Sequence, residues 1–268
     1  MHRWTFLRAA FILLLIGPVA AAEPPHVVAH RGLRRHAPEN TRAAFQSCLT
    51  LQFGFEFDVQ RSKDGQLICL HDKTLDRTTN GRGPAAAQTL ADLQQLDAGR
   101  WFDPSFAGEK IPTIAKVLDL VQASSSPTAL MAVDLKDAAH EVGAEVVRMA
   151  AERKVLDRLL FIGATIQSRE LRESLRAASR NTHTARLVEK IEDLPTDLDD
   201  ATADWMYLRV IPSAADVEKI HARGKRVFVA GANYAGHEEA HWAAVTRAGV
   251  DAILTDYPLE LRRMLRAK

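Results

Sequence analysis

Glu56 and Asp58 stand two residues apart in the segment Gly54 to Asp58, so on an extended strand their carboxylates leave one face while Phe55 and Phe57 leave the other. Asp134 and Lys136 repeat that spacing around Leu135, adding a third carboxylate and a cation. Two carboxylates about 4 Å apart repel by roughly 4 kcal/mol at a protein-like dielectric, so three that converge require a positive charge between them. Oxygen donors without cysteine select a hard ion, and the expectation is one divalent cation, Ca2+ or Mg2+, on Glu56, Asp58 and Asp134. His30, followed by Arg31 and Gly32, and His71, followed by Asp72, supply two imidazoles whose ordinary pKa of about 6.5 suits a general acid and base. With Arg31 and Lys136 available to neutralise oxygens, such a set fits an anionic small molecule of the phosphodiester class.

These side chains need a scaffold that brings several strand ends to one mouth. Segments rich in Val, Ile, Leu and Phe alternate with stretches of helical period along the chain. Strands are expected at His26 to His30, Gly54 to Asp58, Leu130 to Leu135, Leu159 to Gly163, Thr184 to Val188, Trp205 to Leu208, Arg226 to Ala230 and Asp251 to Leu254. Helices are expected at Glu39 to Leu51, Thr113 to Ala123, Ala138 to Lys154, Gln167 to Ala178, Ser213 to Arg223 and Glu238 to Ala248. Strands in β-α alternation predict the α/β class and a TIM-type (β/α)8 barrel, whose active site lies where the strands end. An open doubly wound sheet would carry a Gly-rich phosphate loop after the first strand, and here that strand ends in His30-Arg31-Gly32.

The second strand is followed by Lys63-Asp64-Gly65-Gln66, a tight-turn sequence that predicts an antiparallel hairpin standing above the rim. If Asp64 and Gly65 alone form the turn, Lys63 pairs with Gln66 and Asp58 faces His71. The Gly-, Thr- and Asp-rich stretch from Lys73 to Lys110 then reads as an irregular excursion, so that residues 59–112 form an insertion in the barrel. Trp101, Phe102 and Phe106 are expected to form the core of that excursion.

Over 268 residues, 35 basic side chains balance 34 acidic ones, and 47% of residues are apolar, which suits one globular domain and argues against nucleic acid as a partner. Arg3 and Arg8 precede an apolar run from Ala9 to Ile16, with Gly17, Pro18 and the triplet Ala20-Ala21-Ala22 behind it. That is the pattern of a secretory signal peptide over residues 1–22, leaving 23–268 as an exported mature domain. The run is too short for the roughly 20 residues of a spanning helix, so no stable membrane insertion is expected. Cys48 belongs to the first outer helix, whereas Cys69 shares the parity of His71 on the hairpin, so two free thiols are expected.

Four motifs occur in order over residues 28–83: His30-Arg31-Gly32, Pro38-Glu39-Asn40-Thr41, Glu56-x-Asp58, and His71-Asp72 with Leu75-x-Arg77-Thr78-Thr79-x-Gly81. Ile111-Pro112-Thr113 and Gly249-Val250-Asp251 through Thr255-Asp256-Tyr257-Pro258 follow. In these residues the sequence resembles the glycerophosphodiester phosphodiesterase family. The resemblance implies a TIM barrel that cleaves glycerophosphodiesters to glycerol 3-phosphate and an alcohol with a divalent ion. It implies Glu56 and Asp58 as metal ligands, His30 and His71 as acid and base, and Arg31 as a phosphate contact. Pro38 to Thr41 then open a helix, with Glu39 and Asn40 near enough to orient His30. Three positions depart from the family pattern: Asp134 replaces a Glu, Gly163-Ala164-Thr165 stands where Ser-Phe is usual, and Phe228 to Asn233 replaces a Trp-Thr-Val-Asn strand. The shorter Asp134 retracts its carboxylate by about 1.5 Å, and the other two changes thin the pocket wall. A lysophospholipase D or phosphoinositide-directed enzyme on the same scaffold is the enzymatic alternative, with the excursion's aromatics as a lip for an acyl chain. A secreted module that binds a phosphodiester without cleaving it is the alternative from another class.

Overall fold

The strand carrying Glu56 and Asp58 is buried on both faces almost from end to end, which requires partners on each side and helices outside. The computed structural model describes residues 24–126, 129–230 and 238–267. The signal-peptide expectation and the Gly231 to Asn233 part of the altered strand lie outside those residues. The strands are His26–Ala29 (β1), Gly54–Arg61 (β2), Leu67–Cys69 (β3), Met131–Leu135 (β4), Leu159–Ile162 (β5), His183–Val188 (β6), Trp205–Leu208 (β7), Arg226–Val229 (β8) and Ala252–Thr255 (β9). Every pair is parallel except β2–β3, and the order β1-β9-β8-β7-β6-β5-β4-β2 closes by a further β1–β2 pairing. The result is the expected eight-stranded parallel barrel, with β3 outside it.

Longer helices at Arg42–Thr50 (α1), Ile114–Ala123 (α2), His140–Glu152 (α3), Arg169–Ala178 (α4), Ala214–His221 (α5), Glu239–Ala248 (α6) and Pro258–Arg266 (α7) pack outside the strands. Several start where a hydroxyl caps a free backbone N–H: Thr41 for α1, Thr113 for α2, Ser168 for α4, and Ser213 with Asp216 for α5. Phe55 and Phe57 point out of the barrel against Phe45 of α1, with ring centroids 4.4 and 6.3 Å away, so the alternation puts Glu56 and Asp58 inside.

Between β6 and β7 the only α-helix is the short Leu194–Asp197, and polar side chains serve where a longer helix would pack. Fully buried Arg172 donates from Nε to Thr202 Oγ1 at 2.8 Å, from Nη1 to the Gln167 carbonyl at 3.0 Å, and pairs with Asp200. Lys225 donates to the carbonyls of Asp200 and Ala203. These bonds satisfy loop backbone that no helical ladder covers.

The hairpin departs from its expected register. Val59 pairs with Cys69, Gln60 with Ile68 and Arg61 with Leu67, so Asp58 faces Leu70, whose N–H donates to the Asp58 carbonyl at 3.3 Å. His71 is one residue beyond. The cause is the turn: Ser62 bonds Gln66 across three loop residues, Lys63, Asp64 and Gly65, the last with φ of +79°. Gly65 at that left-handed position accommodates the extra residue. The excursion packs an aliphatic core of its own from Ile68, Leu70, Leu75, Ala85, Leu93, Ala98 and Ile111. Trp101, Phe102 and Phe106 are not that core; they stack edge to face on one another, and Trp101 stays 39% exposed. Cys48 and Cys69 are both buried and both free.

Candidate active site

Chain direction changes sharply after β1, and that change builds the first wall of the site. Arg31 and Gly32 both take left-handed backbone, with φ of +55° and +79°. A side chain at position 32 would begin 2.7 Å from the Ala44 Cβ, so only glycine lets the loop press against α1. In this conformation the Arg31 N–H donates to Glu56 Oε2 at 2.8 Å, and the Arg31 carbonyl accepts from the Asn40 N–H at 3.0 Å. Asn40 is itself left-handed, with φ of +56°, which delays α1 to Arg42 rather than the expected Glu39. Its side chain donates to Asp58 Oδ2 at 2.6 Å and accepts from the Asp58 N–H at 3.3 Å and the Cys69 thiol at 3.0 Å.

Glu56, Asp58 and Asp134 offer oxygens that all lie within 4.8 Å of one another. Lys136 donates to Asp134 Oδ2 at 2.6 Å and lies 2.8 Å from Asp58 Oδ1. That second approach is off the line of a hydrogen bond, and Asp58 Oδ1 is buried with no hydrogen-bond donor. Burial, then the charges of Asp58 and Asp134, push the Glu56 carboxyl well above its usual range. Burial also raises Asp134, with Lys136 opposing, Asp58 adding to the rise, and His71 lowering it from further off. A cluster of oxygen donors, two of its residues buried, with one oxygen lacking a hydrogen bond and two carboxyls resisting ionisation, fits a hard divalent cation. Gly163 completes the cradle: a Cβ there would lie 2.0 Å from Asp134 Oδ1, so the Asp134 carboxylate fills the space a side chain would take.

The two histidines reach the mouth from different elements and share one arrangement. His30 Nδ1 lies 2.7 Å from Asp256 Oδ1, and His71 Nδ1 lies 2.8 Å from Asp72 Oδ1. A carboxylate only accepts, so each Nδ1 is the donor and each Nε2 is the ring nitrogen left to take or give a proton. Burial would raise Asp256, but the His30 hydrogen bond and charge, with Arg34 and Arg31, hold it below its usual value. Asp72 is held lower still, first by the Arg77 hydrogen bond.

The expectation that Glu39 and Asn40 orient His30 is corrected by these contacts. Asn40 holds Asp58, and Glu39 accepts from Arg31 Nη1 at 2.8 Å and from Arg77 Nη1 and Nη2, both at 2.8 Å. Sequence reasoning did not give Asp256, Asp72, Arg34 or Arg77 a task. The signal for Asp256 was present: Ala29 pairs with Thr255 when the barrel closes, which sets the next residues, His30 and Asp256, side by side.

The chain matches the Glycerophosphoryl diester phosphodiesterase family over residues 30–260. A glycerophosphodiester phosphodiesterase of Caldanaerobacter subterraneus subsp. tengcongensis is 30% identical over 258 residues, covering 90% of this chain and 97% of the relative. Among solved structures, a glycerophosphodiester phosphodiesterase from Agrobacterium tumefaciens superposes with a TM-score of 0.72 at 27% identity, over 87% of this chain and 97% of that one. An Oleispira antarctica phosphodiesterase in complex with the product sn-glycerol-3-phosphate superposes with a TM-score of 0.73 at 26% identity, over 91% and 97%. With a family match that spans nearly the whole barrel and a relative aligned almost from end to end, this chain belongs to the glycerophosphoryl diester phosphodiesterase family.

Proposed function

We propose that this protein hydrolyses glycerophosphodiesters to glycerol 3-phosphate and an alcohol, with Glu56, Asp58 and Asp134 holding one divalent cation, Ca2+ or Mg2+, and His30 and His71 moving the protons. The observation that carries the proposal is a carboxylate trio, two of its members buried, at the same rim as two histidines whose Nδ1 atoms are each taken by an aspartate. The product complex of the Oleispira relative supports the substrate class. When bound, the cation neutralises the carboxylates and draws charge from the phosphate oxygens.

The chain's own groups supply the rest. Lys136 stays protonated because Asp58 and Asp134 outweigh its burial, so it remains a cation for a phosphate oxygen. Arg31 is oriented toward the trio, with Nε 3.7 Å from Asp58 Oδ2 and without a hydrogen-bond partner of its own. One imidazole, neutral at Nε2, accepts the proton of the attacking water, or of the neighbouring glycerol hydroxyl, in which case water opens the resulting cyclic phosphate in a second step that uses the same two imidazoles in reversed roles. The other, protonated, gives its Nε2 proton to the departing alcohol oxygen. A module that only binds phosphodiesters has no use for two such imidazoles.

Export is part of the same proposal: residues 1–22 act as a signal peptide, and the described helices include none long and apolar enough to cross a membrane. N-terminal sequencing of the exported protein should begin near Glu23. The function is tested with purified protein, a panel of glycerophosphodiesters and lysophospholipids, and enzymatic detection of glycerol 3-phosphate. Turnover should vanish in chelator and return with Ca2+ or Mg2+. Full activity in chelator, with no metal by elemental analysis, would sink the metal assignment.

A further inference from the structure

We propose that Glu39 is a positioning residue for the reaction, acting on His71 through Arg77 and Asp72; the proposal rests on the assignment of His71 to proton transfer. Glu39 is 5% exposed, and its hydrogen bonds go to Arg31 and Arg77, not to either histidine. It is also outside the cation cluster, because both of its oxygens are already taken by guanidinium groups. Its partners explain its importance. Arg77 comes from the excursion and presents two edges: Nη1 and Nη2 donate to Glu39, while Nε donates to Asp72 Oδ2 at 2.7 Å and Nη2 also reaches Asp72 Oδ1 at 3.0 Å. Asp72 Oδ1 in turn lies 2.8 Å from His71 Nδ1. The line from the buried carboxylate to the imidazole is therefore continuous, Glu39 to Arg77 to Asp72 to His71.

That continuity matters because the far half of the line is weakly anchored. The Arg77 side chain is 42% exposed, and those of His71 and Asp72 are 33% and 27% exposed. An arginine that loose loses much side-chain freedom when pinned, and a single carboxylate on the same exposed loop is a moving anchor. Glu39 is a fixed one, in the buried turn that leads into α1 and clamped from its other side by Arg31. Two parallel N–H donors on one carboxylate also set the plane of the guanidinium, and so the direction of the edge that meets Asp72. Replacing Glu39 by Gln leaves one oxygen and adds two N–H groups facing arginine, so Arg77 swings and Asp72 follows.

A purely structural Glu39 would lower stability and leave the remaining folded enzyme with its ordinary kinetics. A positioning Glu39 lowers kcat with little change in KM, and does so only while Asp72 is there to transmit the effect. The test uses the full protein loaded with Mg2+ or Ca2+ and a glycerophosphodiester, comparing Glu39→Gln, Asp72→Asn and the double variant. Glu39→Gln should lose on the order of 10-fold to 100-fold in kcat, and the double variant should be no slower than Asp72→Asn alone. Losses that multiply in the double variant, or a normal kcat in Glu39→Gln, overturn the proposal. Should Glu39→Gln fail to fold, Arg77→Lys on the exposed loop decides: it keeps the charge but cannot hold both carboxylates, and a kcat unchanged within twofold overturns the proposal. If His71→Ala keeps full turnover, the histidine assignment falls and this inference with it. If His71→Ala is inactive while Glu39→Gln is normal, only this inference falls.

Discussion

An aspartate on each Nδ1 fixes the tautomer of both imidazoles before substrate arrives, so each histidine has one atom free to exchange a proton with it. His30→Ala and His71→Ala should each lower turnover by on the order of 100-fold to 10,000-fold, the usual scale for a general acid or base. Thermal melting and cation affinity should stay near those of the parent protein, which differential scanning fluorimetry and calorimetry would show. Near-normal turnover in both variants would leave the histidines as polar residues of the rim. Asp134→Glu should hold or improve cation affinity by restoring reach, whereas Asp134→Asn should weaken it; equal losses would show a site built around the shorter side chain. The placement of single residues was legible where strand spacing dictates it, as at Glu56 and Asp58 on one inner face. The supporting contacts of Asn40, Glu39 and Asp256 were not, because each depends on a left-handed turn or a strand pairing between distant segments.

Elements were legible where a repeating pattern specifies them. The alternation of Phe55, Glu56, Phe57 and Asp58 gives the strand, its parity and its inner face. The hairpin register was off by one because a single residue decides it: Gly65 accommodates a three-residue loop, and Asp64 and Gly65 alone do not specify a two-residue turn. Helix α1 starts late for a related reason, since Asn40 gives up helical backbone to hold Asp58. At the end of β5, Gly163 ties the scaffold to the site. Gly163→Ala should cost about 1–2 kcal/mol for its left-handed backbone, φ +94°, and weaken cation binding by on the order of 10-fold to 100-fold as Asp134 is displaced. Denaturant unfolding and calorimetry measure the two effects separately, and cation affinity within twofold of the parent would show that Asp134 has room to move aside.

At the scale of the whole molecule, acid is the stress this architecture is built to feel. Burial alone would raise Glu39, but the Arg77 hydrogen bonds and the charge of Arg31 hold its carboxyl at about 2 rather than 4.5. A group with a depressed folded-state pKa contributes fully above its unfolded value and loses that contribution as pH falls through its folded value. The Glu39 contribution should therefore be complete above about pH 4.5 and fade toward pH 2. The stability of Glu39→Gln, followed by urea melts across that window, should fall less steeply than that of the parent. Equal slopes would show that the arginines do not hold Glu39 ionised. The closed barrel itself was foreseeable from the count and alternation of strands, whereas the separate aliphatic core of the excursion was hidden behind more conspicuous aromatics.

Closure of the barrel also decides how the molecule can be held. β1 enters from the floor and ends at the mouth with His30, while α7, following β9, carries the chain back from the mouth toward the floor. Both ends of the barrel domain thus leave on the side away from the histidines and carboxylates. A surface, a fusion partner or a bead attached at either end faces the floor and leaves the mouth open to solution. Protein immobilised through a tag at either end should keep the kcat/KM of the free enzyme, whereas attachment through a cysteine introduced at Lys73 in the excursion should not. The fold thereby supplies an orientation handle that needs no engineering of the site.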